Sequence, residues 1–451
     1  MRFLKPRCAR SLFSLSFGTR QVFNVEMFSW DSRLDGAGAD FWLPARPYEL
    51  RYALQKARAD EDTVLSVSIY DYGKAEFISG TFLSPQNARM LRGLNALAWK
   101  VTEMTEAELA GFEGLVCMEG GEDKPALTME RLYNLAASGG NCHAMFDVTD
   151  DEQLGRFFAE GGFTPELDGL SDEVFERLDF RKIGKEKREE HGGVFLEDAD
   201  GVYGYVEQDG DIEDAWKDLN LDPEDPDYAV LMELRRMDTA DRSPVTLKLP
   251  ADESAIRSAM RELEVSDWTS VSAVCLDCKV PAIGEMLAGL NNPEHASRVA
   301  IVMNRLTAEQ AVVCDALLEA VPCPDLAAAI IMMRSVDAYT LTPELSTPAE
   351  YAKRDLLNLV GEESAQYLIP CVDLNVYGSH LLSKGTAAMT EYGAIQRKDG
   401  LPLRAPLDQA RDRTERSGPE PDQTGIREQD GGDGNAKKAA RHGRKRKEAV
   451  R

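Results

Sequence analysis

The sequence is poor in the residue types and motifs on which most enzyme active sites are built. Only five of its 451 residues are histidines, and eight are cysteines. It contains no Gly-x-Ser-x-Gly elbow, no Walker phosphate loop, no His-Glu-x-x-His zinc motif and no dinucleotide-binding Gly-x-Gly-x-x-Gly after a strand. These absences argue against hydrolase, nucleotide-hydrolysing, zinc-protease and dehydrogenase chemistry. We therefore predict a protein that is not an enzyme and uses no cofactor.

Two small groups of cysteine and histidine could still suggest a site. Cys275 and Cys278 form a Cys-x-x-Cys pair, but zinc usually takes four ligands and no second pair follows at finger spacing. Cys142 precedes His143, yet no further ligand or general base stands at a recognisable spacing from them. The cysteines are also too few for a disulfide scaffold in a chain of this length. We predict reduced structural thiols and no metal site.

Long apolar segments are absent as well. No run approaches the ~20 apolar residues that cross a bilayer, which predicts a soluble, cytoplasmic protein that does not bind membranes. Residues 1–21 contain five Lys or Arg and no acid. Their apolar stretch, Ser11 to Phe17, matches the core of a secretory signal poorly. We interpret residues 1–21 as a basic N-terminal extension, with a targeting peptide as the alternative.

What the chain has in excess is negative charge, and that charge is unevenly distributed. The whole chain has a net charge of −26. Residues 22–240 hold 47 acids against 21 bases, residues 241–400 hold 22 against 13, and residues 401–451 are basic, with 9 against 13. Such an acidic surface repels DNA and suggests a basic partner. The charge of residues 22–240 equals that of roughly 44 Å of duplex DNA.

The densest acidic segment, from Glu197 to Asp227, contains thirteen acids and a single base, Lys217. A charge run of this kind can be a solvated face or a flexible linker. Apolar residues are nevertheless interleaved with the acids: Val202, Tyr203, Tyr205, Val206, Ile212 and Trp216. Their presence predicts that the acids are displayed on folded structure, with simple solvation as the alternative.

One structural unit is repeated along the chain. In both copies an apolar segment ending in Pro-Ala precedes a helical pattern and a strand, and a capping box begins a later helix. The matched segments are Phe41–Ala45 with Leu247–Ala251, Thr105–Glu108 with Thr307–Gln310, and Tyr203-Gly204 with Tyr392-Gly393. In the first copy, Thr149-x-x-Glu152 and Asp172-Glu173 are predicted to begin two further helices.

These patterns predict an α+β fold: elongated, helix-rich small domains with short sheets, an internal duplication and a disordered C-terminal tail. The predicted boundaries place a basic extension at residues 1–21, an acidic module at 22–240, a diverged second copy at 241–402 and the tail at 403–451. The tail is predicted to be disordered because Gly, Pro and charge dominate it and it can bury little apolar surface.

Several short segments between Arg92 and Val206 carry a resemblance to a known family. They are Leu94-Asn95-Ala96-Leu97-Ala98, Thr105 to Glu113, Asn134-Leu135, Asn141-Cys142-His143, Asp151 to Phe157, Ile183-Gly184, Gly192-Gly193-Val194-Phe195 and Gly204-Tyr205-Val206. In these segments the chain resembles the ArdA-type antirestriction proteins, particularly divergent forms from mobile genetic elements, such as conjugative transposons, of gut anaerobes. The match is diffuse, covers about a quarter of the chain directly and includes no catalytic signature.

The resemblance implies an elongated, acidic fold, typically a homodimer, whose surface imitates bent DNA. It implies an inhibitor that occupies the DNA-binding groove of a type I restriction-modification enzyme and whose acidic body does not itself bind DNA. The acids that would then stand in for phosphates are Glu106, Glu108, Glu113, Asp150, Asp151, Glu152, Asp172, Glu173, Glu197, Asp198, Asp200, Asp209, Asp211, Glu213, Asp214 and Asp218.

Two features depart from that family's pattern. The second copy is only weakly acidic, and the tail carries a basic cluster between Lys437 and Lys447. The duplicated module and the mixed-charge tail support an alternative: a non-enzymatic mobile-element adaptor or scaffold whose second copy binds a partner encoded by the same element.

Overall fold

The computed structural model describes the chain over residues 21–30, 37–120, 125–164, 167, 169–198, 201–222, 225–238, 243–288, 290 and 292–416. The candidate acid Asp200 lies outside these residues, as do residues 1–20 of the predicted extension and 417–451 of the predicted tail. Residues up to Asp408 belong to one compact unit; those from Gln409 belong to a second, of which the end of the last helix is described. In the described part of the chain no helix has the length and apolar character of a bilayer-crossing segment.

The first half of the described chain alternates short strands with helices. Its elements are β1 (Phe23–Ser29), β2 (Gly38–Leu43), α1 (Pro47–Lys56), β3 (Leu65–Asp71), α2 (Ala88–Glu103), α3 (Glu106–Glu119), α4 (Met129–Ala137), β4 (Cys142–Met145), α5 (Asp151–Glu160), α6 (Asp172–Phe175), α7 (Phe180–His191), β5 (Val194–Asp198) and β6 (Gly201–Gln208). An irregular segment follows β6.

The second half presents strands and helices in the same order, apart from one additional helix after its third strand and another at its end. Its elements are β7 (Val230–Arg236), β8 (Val245–Leu249), α8 (Glu253–Leu263), β9 (Val271–Cys278), α9 (Pro281–Leu287), α10 (Pro293–Met303), α11 (Ala308–Ala320), α12 (Leu326–Arg334), β10 (Tyr339–Thr342), α13 (Pro348–Val360), α14 (Glu362–Leu368), α15 (Leu374–Leu382), β11 (Ala387–Thr390), β12 (Gly393–Arg397) and a final helix, α16 (Ala405–Arg416).

The sheets show the same duplication. In each half the first sheet has the first strand in its centre, giving the orders β2-β1-β3 and β8-β7-β9. The second sheet has the last strand in its centre, giving β4-β6-β5 and β10-β12-β11. All the paired strands of these sheets are antiparallel. The predicted α+β fold with short sheets is confirmed, and apart from helices α9 and α16 the described elements follow one order twice.

Local irregularities recur at matching positions and strengthen the correspondence. The pairing of the central strand shifts after Asn24 in the first half and after Leu231 in the second. The helix that follows each hairpin is succeeded by a residue with positive φ, Arg58 at 55° and Glu264 at 53°. A bulge bends its strand and sharpens its twist, so the two sheets are bent at the same place.

The predicted capping boxes are confirmed in both halves. Thr105 accepts the amide of Glu108 at 3.3 Å at the start of α3, and Thr307 accepts the amide of Gln310 at 3.1 Å at the start of α11. In return the Glu108 carboxylate accepts the Thr105 amide. These reciprocal bonds satisfy donors that a helix N-terminus leaves without partners, so four residues are enough to fix where each helix begins.

Three boundaries differ from the sequence-based prediction. The predicted division at residue 240 falls between β7 and β8, which pair in one sheet, so the second half begins with β7. The predicted tail starts too early, because Leu403 is 5% exposed and Leu407 packs on the same core. Helix α5 is capped by Asp150, rather than by Thr149, which instead binds the side chain of Gln153.

The second predicted helix of this region is also shorter than expected. The pattern that starts at Asp172 ends at Phe175, and a separate helix, α7, begins five residues later. Helices α5 and α7 cross closely through two glycines: a Cβ at Gly155 would lie 1.8 Å from the Phe180 oxygen, and one at Gly184 would lie 1.8 Å from the Asp151 oxygen. The two helices can approach so closely because neither glycine has a side chain. The spacing of apolar residues in the sequence does not reveal such a contact.

Each half has its own apolar core, and helix α1 joins them. Tyr48 and Tyr52 of α1 are 4% exposed and belong to the core of the second half, although their helix follows the first hairpin. The Tyr48 hydroxyl donates to the Tyr228 oxygen at 2.8 Å and the Tyr52 hydroxyl to the Lys279 oxygen at 2.7 Å. Aromatic side chains bury large areas while their hydroxyls find acceptors, so these tyrosines fasten the first half to the second.

Candidate partner-binding surface

The structure divides the described candidate acids among three places. One group lies on the first half around a cleft that involves α3, β5 and β6: Glu106, Glu108, Glu113, Glu197 and Asp198. A second lies on the irregular segment after β6: Asp209, Asp211, Glu213, Asp214 and Asp218. A third lies on and beside α5 and α6: Asp150, Asp151, Glu152, Asp172 and Glu173.

Four acids of the first group, all except Glu108, line a cleft of about 530 Å³ with apolar and acidic walls. We call it the α3 cleft. It is lined by Lys74, Glu76, Phe77, Glu106, Leu109, Ala110, Glu113, Phe146, Glu197, Asp198 and Tyr203. Five of these residues are acids and one is a base, so the cleft favours a cationic ligand. Phe146 is 39% exposed at its edge and offers an aromatic face to that ligand.

Two acids near the α3 cleft are held by the fold itself. Tyr203 on β6 donates a 2.5 Å hydrogen bond to Glu113 on α3. Burial nevertheless raises the pKa of Glu113. Glu108 accepts the backbone amide of Thr105, and that bond lowers its pKa. Glu113 therefore fastens β6 to α3, and Glu108 caps α3, so neither is a simple exposed phosphate mimic.

The second group sits on a segment, residues 209–218, that we call the acidic loop. Hydrogen bonds join its backbone to Ser138 and Asn141, the two residues that bound the short turn before β4. The Asn141 oxygen accepts the amides of Asp209 and Gly210 at 2.9 and 3.0 Å, and the Asn141 side chain donates to the Asp211 oxygen at 3.0 Å. The Ser138 hydroxyl, fully buried, accepts the Glu213 amide at 2.8 Å. These bonds fix a segment whose regular structure is limited to one 3₁₀ turn, Ala215–Asp218.

The far end of the acidic loop is anchored on helix α4. The Trp216 amide donates to the buried side chain of Asn134 at 2.8 Å. The indole packs edge-on against Tyr133, with ring centroids 6.0 Å apart, and fills the space above Gly93, where a Cβ would lie 2.5 Å from it. Ile212 also packs on this core. The prediction that interleaved apolar residues hold these acids on folded structure is confirmed.

Most acids of the loop point to solvent without a neighbouring cation. Asp209, Asp211, Glu213 and Asp218 are exposed, and among the described residues no Lys or Arg pairs with them. Asp214 differs, because it lies 3.6 Å from Lys217. Solvated carboxylates on an anchored backbone keep their charge and their position, which are the two properties that a basic surface can recognise.

The third group is largely neutralised by neighbouring basic residues. Asp151 makes a two-bond contact with Arg188 of α7, at 2.8 and 3.1 Å. The hydrogen bond from Arg188 lowers the pKa of Asp151. Nearby, the predicted acids Glu152 and Glu173 lie 3.5 and 3.6 Å from arginines one helical turn later. The acids of α5 and α6 thus belong to a mixed-charge surface rather than to an acidic one.

Two of the cysteines considered above, Cys142 and Cys278, have thiols whose pKa is raised by burial. Burial raises the pKa of Cys142 to about 11, and it raises that of Cys278 well above the usual range. A thiol reacts as its thiolate, so both are held in the unreactive form. Among the described residues, no group of three or more His, Cys, Asp or Glu side chains is arranged to hold a metal ion.

Sequence reasoning missed the residues that position the acidic loop. Asn134 and Asn141 stand in segments that carry the family resemblance, but their bonds to residues about 70 to 80 positions later have no local signature. Ser138 carries no motif at all. No protein-family model matches the chain, and no curated protein matches it either.

Proposed function

We propose that the protein inhibits a type I restriction-modification enzyme by presenting acids where that enzyme expects DNA phosphates. It would act in the cytoplasm, as a non-enzymatic protein without a cofactor. No single acid would be indispensable, because the interaction would be distributed over many charges. The observation that carries the proposal is the acidic loop. It exposes four carboxylates that pair with no Lys or Arg among the described residues, and its backbone is held by Asn134, Ser138 and Asn141. The resemblance of residues 92–206 to ArdA-type proteins supports the choice of target.

The physical basis is the cost of ordering charged groups. A basic DNA-binding groove gains from acids that need no rearrangement before they bind, because association then loses less conformational freedom. Each exposed ion pair contributes only about 0.5 kcal/mol. Several acids acting together are therefore needed, and their contribution weakens as salt screens the charges. The expected signature is a distributed, salt-sensitive interaction.

The test is displacement of labelled target DNA from a type I restriction-modification enzyme by the full chain, over a series of salt concentrations. Stoichiometric displacement that weakens with salt is expected. A variant combining Asp209→Asn, Asp211→Asn, Glu213→Gln and Asp218→Asn should bind the enzyme about 30-fold more weakly, from four pairs of about 0.5 kcal/mol each. Absence of displacement at low salt, across several type I families, would overturn the proposal.

A matched control separates this surface from bulk charge. The second half offers four exposed acids that lose the same total charge on substitution: Glu262→Gln, Glu294→Gln, Glu362→Gln and Glu363→Gln. This control should stay within about two-fold of the natural chain, since surface changes away from an interface cost little. Equal losses in both variants would mean that the acidic loop has no special part in binding.

The adaptor alternative rests on a different surface. In the second half, helices α13, α14 and α15 expose Leu359, Tyr367 and Val376, which are 72%, 76% and 66% exposed. Exposed apolar side chains gathered on neighbouring helices favour a protein contact. Replacing the three with Ser should leave DNA displacement unchanged if the inhibitor proposal is right, and should abolish partner binding if the adaptor alternative is right.

A further inference from the structure

The α3 cleft of the first half has a counterpart in the second half, and that counterpart is filled by helix α1. Three side chains at the C-terminal end of α1 make the contacts. Tyr52 packs edge-on against Tyr392 at 5.9 Å, Lys56 pairs with Glu391, and Arg58 donates to the Pro343 oxygen at 3.0 Å. The Tyr392 ring is also 5.7 Å from the Lys56 ammonium. The site in the second half therefore binds a helix end that carries one aromatic side chain followed by two basic ones.

Strand pairing identifies the equivalent residues in the first half. Gly204 pairs with Leu196 in the first half, and Gly393 pairs with Thr390 in the second. The tyrosines that precede these two glycines therefore correspond. The glutamates that follow Leu196 and Thr390 correspond for the same reason. One further pair is found by aligning the starts of α3 and α11, and another consists of the residues that directly follow β4 and β10. The correspondences are Tyr392 with Tyr203, Glu391 with Glu197, Asp315 with Glu113, and Pro343 with Phe146.

All four first-half residues of these correspondences line the α3 cleft. The tyrosine–carboxylate bond is present in both sites, from Tyr203 to Glu113 at 2.5 Å and from Tyr392 to Asp315 at 2.7 Å. In the second half the surface around this bond is covered by α1, whereas in the first half it borders about 530 Å³ of open space. The same surface thus occurs twice, once with a helix on it.

We propose that the α3 cleft binds an amphipathic helix of a partner protein, one that presents an aromatic side chain to Tyr203 and a Lys or Arg to Glu197. Five acidic side chains against one base make the cleft complementary to a basic helix end. Phe146 and Leu109 supply apolar contact for the rest of that helix. Helices that lay an apolar face into a groove are a common mode of recognition.

Neither of the two equivalent helices, α1 and α8, of a second copy suits the α3 cleft. Helix α1 is already committed, because Tyr48 and Tyr52 are buried against the second half. Helix α8 occupies the matching position in the second half, but Ser254 and Ser258 stand where α1 has its tyrosines. The counterparts of Lys56 and Arg58 in α8 are acidic, Glu262 and Glu264. An acidic helix end would be repelled by the α3 cleft, so the proposal assigns the cleft to a helix of another protein.

The experiment uses a fluorescent peptide with the sequence of residues 44–59, which carries α1, and the full chain as receptor. Saturable binding is expected by fluorescence anisotropy. Phe146→Ala and Glu197→Lys should each weaken it by about ten-fold or more, because the first removes an aromatic contact and the second replaces an attractive charge with a repulsive one. A peptide with Lys56→Glu and Arg58→Glu is the matched control and should not bind.

Other outcomes would overturn the assignment. Binding lost with Glu391→Lys and unchanged with Glu197→Lys would mean that the peptide displaces α1 from the second half. Self-association of the chain that Glu197→Lys abolishes would make a second copy the occupant. Peptide binding that appears only after removal of residues 417–451 would make the chain's own end the occupant. The inference stands apart from restriction inhibition: helix binding can fail while DNA displacement succeeds, and the reverse.

Discussion

The Tyr392 hydroxyl donates a 2.7 Å hydrogen bond to Asp315, and this bond ties the turn between β11 and β12 to helix α11. Asp315 is 6% exposed and also accepts the Ala282 amide at 2.8 Å. Burial raises its pKa. The first half repeats the bond between Tyr203 and Glu113, but on the wall of an open cleft. The tyrosine–carboxylate hydrogen bond is therefore buried in the second half and borders solvent in the first.

This difference predicts unequal effects of removing the hydroxyl. Tyr392→Phe should lower the free energy of unfolding by about 2 kcal/mol, because a buried carboxyl loses a donor that water cannot replace. Tyr203→Phe should cost about 1 kcal/mol, since Glu113 is only half-buried and can be hydrated. Urea denaturation of both variants measures the difference. A larger loss in Tyr203→Phe would contradict the assignment of Asp315 to the drier site.

The anchoring of the acidic loop predicts a functional effect without any change of charge. Asn141→Ala and Asn134→Ala should each lower stability by about 1–2 kcal/mol and expose the amides of residues 209–216 to faster hydrogen exchange. DNA displacement should weaken as well, because the acids are no longer held in place. Asn24→Ala is the control, since the Asn24 amide reaches only Asp40, at 3.5 Å. Unchanged displacement by both loop variants would show that charge alone matters.

Glu319 predicts a pH dependence of stability. Burial, and then the negative charge of Glu391, raises the pKa of Glu319 to about 7. Between its unfolded value near 4.5 and pH 7 the folded state holds the extra proton, so stability falls as pH rises through this window. For a partly exposed carboxyl we expect a change of about 1 kcal/mol. Glu319→Gln should flatten that part of the stability profile; a natural chain already flat from pH 4.5 to 7 would contradict this.

The close crossing of α5 and α7 predicts that its glycines cannot be replaced. Gly184→Ala should cost about 3 kcal/mol or separate the helices, because its Cβ would lie 1.8 Å from the Asp151 oxygen. Gly378→Ala should behave alike in the second half, with the Pro348 oxygen 1.9 Å away. Gly140→Ala is the control: its nearest neighbour is a flexible side-chain atom 3.8 Å away. Thermal unfolding of the three variants compares them.

Some of the fold could be read from the sequence because its signals are local. Thr105–Glu108 and Thr307–Gln310 place helix starts through bonds between residues three positions apart. The alternating residues Val64 to Tyr70 predict a strand, and β3, at Leu65–Asp71, agrees with it to within a residue at each end. Strand β7 was missed because its first five residues are all buried, and a strand buried on both faces shows no alternation. Helix α7 was missed because it packs through Gly184 rather than through large apolar residues.

The candidate site was only partly predictable for the same reason. The acids of residues 209–218 and their interleaved apolar residues were evident from the sequence. That Glu113 binds Tyr203 and that Arg188 neutralises Asp151 follows from contacts between residues 90 and 37 positions apart. No property of a single segment distinguishes an exposed acid from one held by a distant partner.

The sequence by itself determined the composition of charge, the helix caps, the alternation of strands and the order of the repeated unit, because each depends on neighbouring residues. Only the tertiary structure decided which of the two equivalent surfaces is covered. Helix α1 crosses to the second half, where Tyr52 meets Tyr392, 340 positions later in the chain. That contact leaves Tyr203 and Glu197 beside an open cleft. Burial and access are properties of the assembled fold, and they separate two nearly equivalent sites into an internal joint and a surface available for binding.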